Sequence, residues 1–265
     1  MLRLKTEKLS VEKDDGIGWI IFNNPARRNA FSLEMWQGVV EIVGDFANDK
    51  DIRVAVMRGA GDKAFASGAD ISQFDDQRAN AEAAERYSAI AEAGCAALAE
   101  FDKPLIAMIR GYALGGGLAV AMAADMRIAS DDSSFGIPAA RLGIPYSLNG
   151  LRPLVDLVGP ALAKDLLITA RRLTAEDALR IGLVNRVVPP ERLESTVRDV
   201  CATIIDNAPL SIIACKAAVN ELVKDPVDRD MGRVDELSRL CYDSADYAEG
   251  RRAFMEKRKP VWTGR

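Results

Sequence analysis

Apolar runs alternate with helical patterns over the first two thirds of the chain. Four short runs are mostly apolar and lack strict polar alternation, which is typical of strands that are buried on both faces. These runs are residues 16–22 (GIGWIIF), 53–57, 104–109 and 125–129. Glycine or other turn residues end the first two of them. Because helices are predicted between the runs, the pattern favours an α/β architecture with buried strands.

Three helices are predicted between these strands, and two of them have an apolar face. The first follows Ser32, the second spans residues 79–100, and the third, residues 115–124, begins with glycines. Helical spacing predicts that the buried faces of the first two consist of Met35, Trp36, Val39, Val40, Val43 and Phe46, and then of Tyr87, Ile90, Ala91, Gly94 and Leu98.

The last third of the chain has a mostly helical pattern. Thr174 is a good helix N-cap, and Asp177 follows it three residues later, close to a capping box. The composition changes at Pro189–Pro190, and three helices are predicted from Leu193 to Lys259. The sequence therefore predicts an α/β core over residues 1–190 and a helical C-terminal region over residues 191–265.

Composition excludes several kinds of chemistry. The chain has 265 residues, a formal net charge of −4 and no histidine. It therefore cannot form a Ser-His-Asp or Cys-His nucleophile system, a histidine base or a histidine-bearing metal site, and we predict no metal. The charge gives no electrostatic argument for nucleic-acid binding. Any reaction must use carboxylates, tyrosine, lysine, cysteine, backbone amides or a cofactor.

The cysteines and the apolar segments indicate a cellular location. The four cysteines lie far apart, none in C-x-x-C spacing, which favours buried reduced thiols over a disulfide framework. The first eleven residues lack the apolar region of a signal peptide. No stretch reaches the roughly 18 apolar residues that cross a bilayer. We therefore predict a cytoplasmic protein that does not bind membranes.

Two glycine-containing segments are candidates for ligand binding. They are residues 64–71 (AFASGADI) and 111–119 (GYALGGGLA), and neither has the spacing of a dinucleotide fingerprint or a P-loop. Unpaired backbone N–H groups at a helix start attract negative charge, and glycines let a ligand approach them. Two such amides could form an oxyanion hole, each contributing about 3–4 kcal/mol in a transition state. The alternative is a tight strand-to-helix turn without a ligand.

These segments also resemble the enoyl-CoA hydratase/isomerase (crotonase) superfamily. Further similarity lies in residues 28–31 (RNAF), 135–145 (FGIPAARLGIP), 173–188 (LTAEDALRIGLVNRVV) and 253–260 (AFMEKRKP). The resemblance covers nearly the whole chain in the right order. It implies a spiral of β-β-α units followed by helices that build a homotrimer or a hexamer.

The resemblance also implies binding of an acyl-CoA thioester, with no cofactor beyond the CoA moiety. The backbone amides of Ala69 and Gly116 would hold the thioester oxygen and stabilise an enolate. Backbone atoms of Ala30 and Ser67 would contact the adenine and pantetheine. The remaining implied contacts come from side chains. Arg28 and Lys63 would bind the CoA phosphates, and Phe254 and Lys257 of a neighbouring subunit would contact the adenine and a phosphate. The alternative for the basic residues is solvated surface charge.

The chain departs from the family at both catalytic glutamates. The position three residues after Gly116 is Ala119, and the position after the proline of residues 135–138 is Ala139. General acid–base catalysis contributes about 10²–10⁴-fold per group, so ordinary hydration is disfavoured. Decarboxylation of a 2-carboxyacyl-CoA needs no base, because departing CO₂ leaves an enolate in the oxyanion hole. An apolar pocket would favour that step.

Residues 142–150 (LGIPYSLNG) and 241–260 look like the methylmalonyl-CoA decarboxylase branch, which implies an active-site role for Tyr146. That branch has a histidine in place of Ala69 and an acid in place of Ala119. We therefore expect decarboxylation of a methylmalonyl-CoA-like substrate. Two alternatives are an enoyl-CoA hydratase or isomerase that uses a relocated acid, Asp75 or Asp76, and an acyl-CoA-binding homologue without catalysis. Asp70 is expected to have a structural role, capping backbone N–H groups.

Overall fold

The computed structural model describes residues 4–70 and 79–265. The strands are β1 Leu9–Asp14, β2 Ile17–Phe22, β3 Val54–Gly59, β4 Ala64–Ala66, β5 Leu105–Ile109, β6 Tyr112–Leu114, β7 Met126–Ser130, β8 Ser134–Gly136, β9 Leu173–Thr174 and β10 Arg186–Val188. The helices are α1 Leu33–Asn48, α2 Ala81–Ala99, α3 Gly116–Met122, α4 Ala139–Leu142, α5 Leu148–Thr169, α6 Ala175–Arg180, α7 Leu193–Ile205, α8 Pro209–Leu222, α9 Met231–Tyr242 and α10 Ala245–Glu256.

The core is a spiral of β-β-α units. In the described part of the chain the strands form a six-stranded sheet in the order β1-β2-β3-β5-β7-β10 and a four-stranded sheet in the order β4-β6-β8-β9. The units β3-β4-α2, β5-β6-α3 and β7-β8-α4 each place the first strand in the large sheet and the second in the small one, whereas β1 and β2 both lie in the large sheet. The predicted α/β fold with a β-β-α spiral is therefore confirmed.

The four predicted apolar runs form β2, β3, β5 and β7, whereas β1 was not predicted. β1 is an edge strand that pairs antiparallel with β2, and its second half is exposed. An edge strand with a solvated face needs few apolar residues, so it gives no continuous run. The strands of the small sheet have only two or three residues, too few to show a period.

Helix α1 begins after Ser32, as predicted, but one residue of its predicted face is wrong. Val40 is 42% exposed, whereas Ile42 is fully buried with the rest of the face. The buried face continues through residues three or four apart from Met35 to Phe46, and Val40 lies at its edge. α2 begins at the N-cap Asn80, whose side chain accepts from Ala83 N at 2.9 Å.

The C-terminal region has four helices over residues 193–259, all of which the structure describes, and the prediction of three is wrong. Pro209 begins α8 directly after the first break, and Pro226 lies in the second break. The third break has neither proline nor glycine; there Ser244 caps α10 by accepting from Tyr247 N at 3.0 Å. A capping serine inside a helical pattern is a weak signal, which explains the error.

Helix α7, directly after the predicted boundary, packs on the large sheet. Leu193, Val197 and Cys201 are buried in a cluster with Trp19 and Val54. The opposite face of the sheet carries the larger cluster, which includes α1. The division of the chain at residue 190 stays a prediction.

Thr174 caps α6 as predicted, accepting from Asp177 N at 3.1 Å. The four cysteines are free, but only Cys201 is fully buried, and Cys215 is exposed. Among the described helices none is by itself long and apolar enough to cross a membrane. One pair, residues 190–205 and 209–222, has the length and composition of a membrane span when taken together, but a 105° bend separates its two helices. No group of three or more described Cys, Asp or Glu residues is arranged to hold a metal.

Candidate active site

The two glycine-containing segments leave neighbouring strands of the small sheet. β4 and β6 are parallel and paired, with Ala64 opposite Tyr112 and Ala66 opposite Ala113. Parallel neighbours end at the same edge of a sheet. The chain that follows each strand, residues 67–70 and 115–116, therefore emerges at the same place, although the two segments lie more than forty positions apart in sequence.

The orientation of the Ala69 amide is set by a short bridge to Phe31. Phe31 N donates to Gly68 O at 2.8 Å, and Asp70 N donates to Phe31 O at 2.9 Å. In extended backbone, successive peptide groups alternate in direction. Since Gly68 O and Asp70 N both face Phe31, the Ala69 N–H faces the other way.

The Gly116 amide is exposed by the turn that starts α3. Gly115 has φ +51° and ψ −120°, a conformation that favours glycine, and its own N–H donates to Gly136 O at 2.8 Å. Gly117 allows the helix to lie directly against β4, since a Cβ there would be 2.1 Å from Ala66 O. Gly116 is then the first residue of α3, where the N–H has no partner within the helix.

The two amides lie side by side. A Cβ built on Gly116 would be 3.6 Å from Ala69 N, and one built on Gly68 would be 3.7 Å from Gly116 N. Within residues 4–70 and 79–265, no backbone carbonyl accepts from Ala69 N or Gly116 N. Two adjacent donors that no backbone carbonyl of the described residues occupies have the arrangement that an oxyanion hole requires.

Tyr146 lies beside these amides. Its hydroxyl is 3.9 Å from the position of a Cβ on Gly115, and its ring is half-buried against the core. The next residue, Ser147, accepts from Gly150 N at 3.1 Å as the cap of α5 and donates to Glu92 Oε1 at 2.8 Å. Glu92 on α2 is thus linked to the segment that carries Tyr146.

Ala119 and Ala139, at the two positions where the resemblance implies glutamates, bring no proton-transferring group to this region. Ala119 lies in α3, one turn after Gly116, and is half-buried. Ala139 is the first residue of α4 and is 8% exposed. Methyl side chains neither donate nor accept a proton.

The loop at residues 28–31 is held against the first amide segment by Asn29. This residue is fully buried, has φ +55°, and donates to Ala60 O at 3.0 Å and Ala64 O at 2.7 Å. Ser67 N then donates to Arg28 O at 3.0 Å. Ala30 is buried next to Asn29. The structure therefore brings Arg28, Ala30 and Ser67 together.

A group of cations lies beside that loop. The Arg28 guanidinium is 5.2 Å from the centre of the Tyr112 ring, and Arg172 is 5.5 Å from the same centre. Lys63 is exposed, and its carbonyl accepts from Tyr112 N at 3.2 Å. Arg172 was not predicted, because sequence spacing does not connect it with Arg28.

The remaining predicted residues lie elsewhere. Asp70 is buried and pairs with Arg27 at 3.3 Å, a contact that no spacing in the sequence predicts. Asp75 and Asp76 lie outside the described residues. Phe254 is 83% exposed near the end of α10, and Lys257 ends that helix with φ +53°.

Known proteins are similar to this chain over nearly its whole length. The profile described as enoyl-CoA hydratase/isomerase matches residues 12–265. The chain is 36% identical to the crotonyl-CoA hydratase of Syntrophomonas wolfei, over 96% of both chains. It is 33% identical to the short-chain-enoyl-CoA hydratase of Clostridium acetobutylicum, over 97% of both.

This chain belongs to the enoyl-CoA hydratase/isomerase family. It superposes on the crystal structure of an enoyl-CoA hydratase/carnithine racemase from Magnetospirillum magneticum with a TM-score of 0.93 at 35% identity, covering 98% of this chain and 97% of the other. As a member of the family it is an enzyme that acts on CoA thioesters, with no cofactor beyond the CoA of its substrate. The hydratase names of these relatives favour the alternative given above over the decarboxylase branch.

Proposed function

We propose that this enzyme is a lyase that hydrates 2-enoyl-CoA thioesters or catalyses the reverse dehydration. The adjacent amides of Ala69 and Gly116, which have no backbone acceptor among the described residues, carry the proposal, together with the relatives named as hydratases. Their N–H groups would donate to the thioester oxygen. When water adds to the β-carbon, negative charge moves to that oxygen, and both hydrogen bonds strengthen.

Proton transfer must use groups other than the missing glutamates. The Tyr146 hydroxyl beside Gly115 is one candidate for protonating the α-carbon of the enolate. For the carboxylate we propose three candidates: Asp75 and Asp76, expected from the sequence, and Glu92, which hydrogen-bonds the residue after Tyr146. The substitutions Asp75→Asn, Asp76→Asn and Glu92→Gln, made singly, identify the group by the largest loss of kcat.

Decarboxylation of a methylmalonyl-CoA-like thioester is the second candidate function. It is favoured by Ala119 and Ala139, which leave the region without the family's two acids. In this reaction the bond to the carboxylate carbon breaks, CO₂ leaves, and the electron pair forms the thioester enolate. Tyr146 would then orient the carboxylate or protonate the enolate carbon.

One experiment separates the two functions. The purified enzyme is incubated with crotonyl-CoA and, in parallel, with methylmalonyl-CoA, and the products are identified by mass spectrometry. Gain of one water by crotonyl-CoA supports the main proposal. Loss of CO₂ from methylmalonyl-CoA with unchanged crotonyl-CoA would replace it by the second, and two unchanged esters that bind tightly would indicate an acyl-CoA-binding protein.

We further propose that CoA lies along Arg28, Ala30, Lys63 and Ser67, and that the enzyme is a homotrimer or hexamer. The Arg28 and Arg172 guanidiniums beside Tyr112 suit phosphate groups. Exposed apolar side chains on α8 to α10 suit a subunit contact; they include Val219, Leu222, Met231, Leu240, Tyr242 and Phe254. Light scattering after size-exclusion chromatography tests the assembly, and Phe254→Ala with Lys257→Ala tests a contribution to CoA affinity.

A further inference from the structure

The indole ring of Trp36 lies next to the two amides. A Cβ built on Gly116 would be 3.6 Å from Trp36 Cζ2 and 3.6 Å from Ala69 N. The edge of the indole and the amide of Ala69 therefore lie within contact distance of one point. A group bound to the amides cannot extend past Gly116 in this direction without meeting the ring.

The ring cannot turn aside. Its Nε1 donates to the Tyr87 hydroxyl at 3.2 Å, and its centre is 4.4 Å from that of the Phe31 ring. On the far side it lies against α2, where a Cβ on Gly94 would be 2.8 Å from Trp36 Cε3. Trp36 is 2% exposed and Tyr87 is 3% exposed. Because close-packed interiors leave few alternative rotamers, this ring is a fixed wall.

The direction of the acyl group follows from the position proposed for CoA along Arg28 and Ser67. The thioester carbon carries the sulfur, which leads to CoA, and the acyl chain, which leads away from it. Ser67 and Arg28 lie on the CoA side in the proposed function. In the proposed function the acyl chain therefore extends away from Ser67 and Arg28, and we place it beside the Trp36 ring, which lies next to Gly116.

We infer that Trp36 is a specificity-determining residue that restricts the substrate to CoA thioesters of short acyl groups, butyryl or crotonyl in size. The inference rests on the oxyanion hole of the proposed function. Extended acyl chains would have to displace the indole, breaking its hydrogen bond to Tyr87 and its packing on Gly94. Ordinarily a longer apolar chain binds more tightly, because it buries more apolar surface. Here the order is reversed.

Calorimetric binding of two saturated esters, butyryl-CoA and decanoyl-CoA, tests this without any turnover. For the unaltered enzyme we expect the Kd of decanoyl-CoA to be at least ten times that of butyryl-CoA. Trp36→Leu should lower this ratio at least tenfold while the Kd of butyryl-CoA changes less than threefold. Trp36→Phe, which disturbs the fold less, should lower the ratio in the same direction.

Trp19→Leu is the matched control. Trp19 is as buried as Trp36 but lies in the cluster on the other face of the large sheet. The same change there should leave the ratio unaltered. The inference is refuted if the unaltered enzyme binds decanoyl-CoA as tightly as butyryl-CoA, or if folded Trp36 variants keep its ratio.

The two proposals fail in different ways. Length discrimination in binding without hydration of crotonyl-CoA leaves the role of Trp36 intact and refutes the proposed reaction. Hydration of crotonyl-CoA and decenoyl-CoA at equal kcat/KM refutes the role of Trp36 and leaves the reaction intact. Binding of neither ester refutes both.

Discussion

Replacing Gly116 by proline removes one oxyanion donor with little change elsewhere. Gly116 is the first residue of α3, a position where proline is well tolerated because its N–H lacks a helical partner. Gly115, at ψ −120°, is outside the α region that a following proline disfavours. Because no described backbone carbonyl accepts from Gly116 N, the substitution breaks no backbone hydrogen bond in this part of the chain.

The added Cβ requires a control, which Gly116→Ala provides. Its Cβ would have ordinary contacts of 3.6 Å to Ala69 N and Trp36 Cζ2, and it keeps the N–H. Any obstruction of the site by the Cβ is therefore common to both variants. The difference between proline and alanine combines the lost N–H with the bulk of the proline Cδ, which takes the place of the amide hydrogen. Loss of one oxyanion donor alone lowers kcat by about 10²–10³-fold, or about 2.7–4 kcal/mol, so we expect a difference at least this large.

The assay follows the absorbance of the conjugated thioester as crotonyl-CoA is hydrated, and kcat and KM are determined for the three proteins. We expect Gly116→Pro to lose at least a hundredfold in kcat relative to Gly116→Ala. Thermal melts show whether both variants are folded. Equal kcat for two folded variants would mean that the Gly116 amide does not hold the reacting oxygen.

Three further predictions concern stability and the thiols. Asn29→Ala should lower the free energy of unfolding, measured by urea titration, by about 2–4 kcal/mol. The reason is that the carbonyls of Ala60 and Ala64 lose their donor and that alanine disfavours φ +55°. An unchanged urea midpoint of unfolding would contradict this. Hydrogen bonds from Arg258, with a smaller contribution from Arg252, hold the pKa of Glu249 well below its usual range. The unfolded chain then binds this proton at higher pH than the folded enzyme, so the free energy of unfolding should fall as the pH drops below about 5. The fall should be smaller in Glu249→Gln. Parallel plots of unfolding free energy against pH for the two proteins would refute the role of Glu249. Cys215 is exposed and should react first with a thiol reagent at pH 8. Burial raises the pKa of Cys95 to about 12 and should keep this thiol unreactive until the protein unfolds. Labelling of Cys95 before unfolding, detected by peptide mapping, would contradict this.

The local patterns of the sequence determine the strands and helices that are long enough to show a period. The apolar runs around Trp19 and Met57 predict buried strands, and the spacing from Met35 to Phe46 predicts the face of α1. Val40 shows the limit of this reasoning, because a pattern does not say where the covering layer ends. The glycine segments indicate candidate backbone donors, because glycine lets a ligand approach the backbone, and the resemblance to the enoyl-CoA hydratase/isomerase family assigns these donors to Ala69 and Gly116.

Tertiary structure alone decides that these candidates meet. β4 and β6 are three residues each, so no periodicity shows that they pair, yet their pairing brings the two amides to one edge. The placement of Trp36 beside Gly116, and of Glu92 beside Ser147, likewise joins residues more than fifty positions apart. Local sequence determines which conformation a segment prefers, whereas distances across the fold depend on how all the layers pack together.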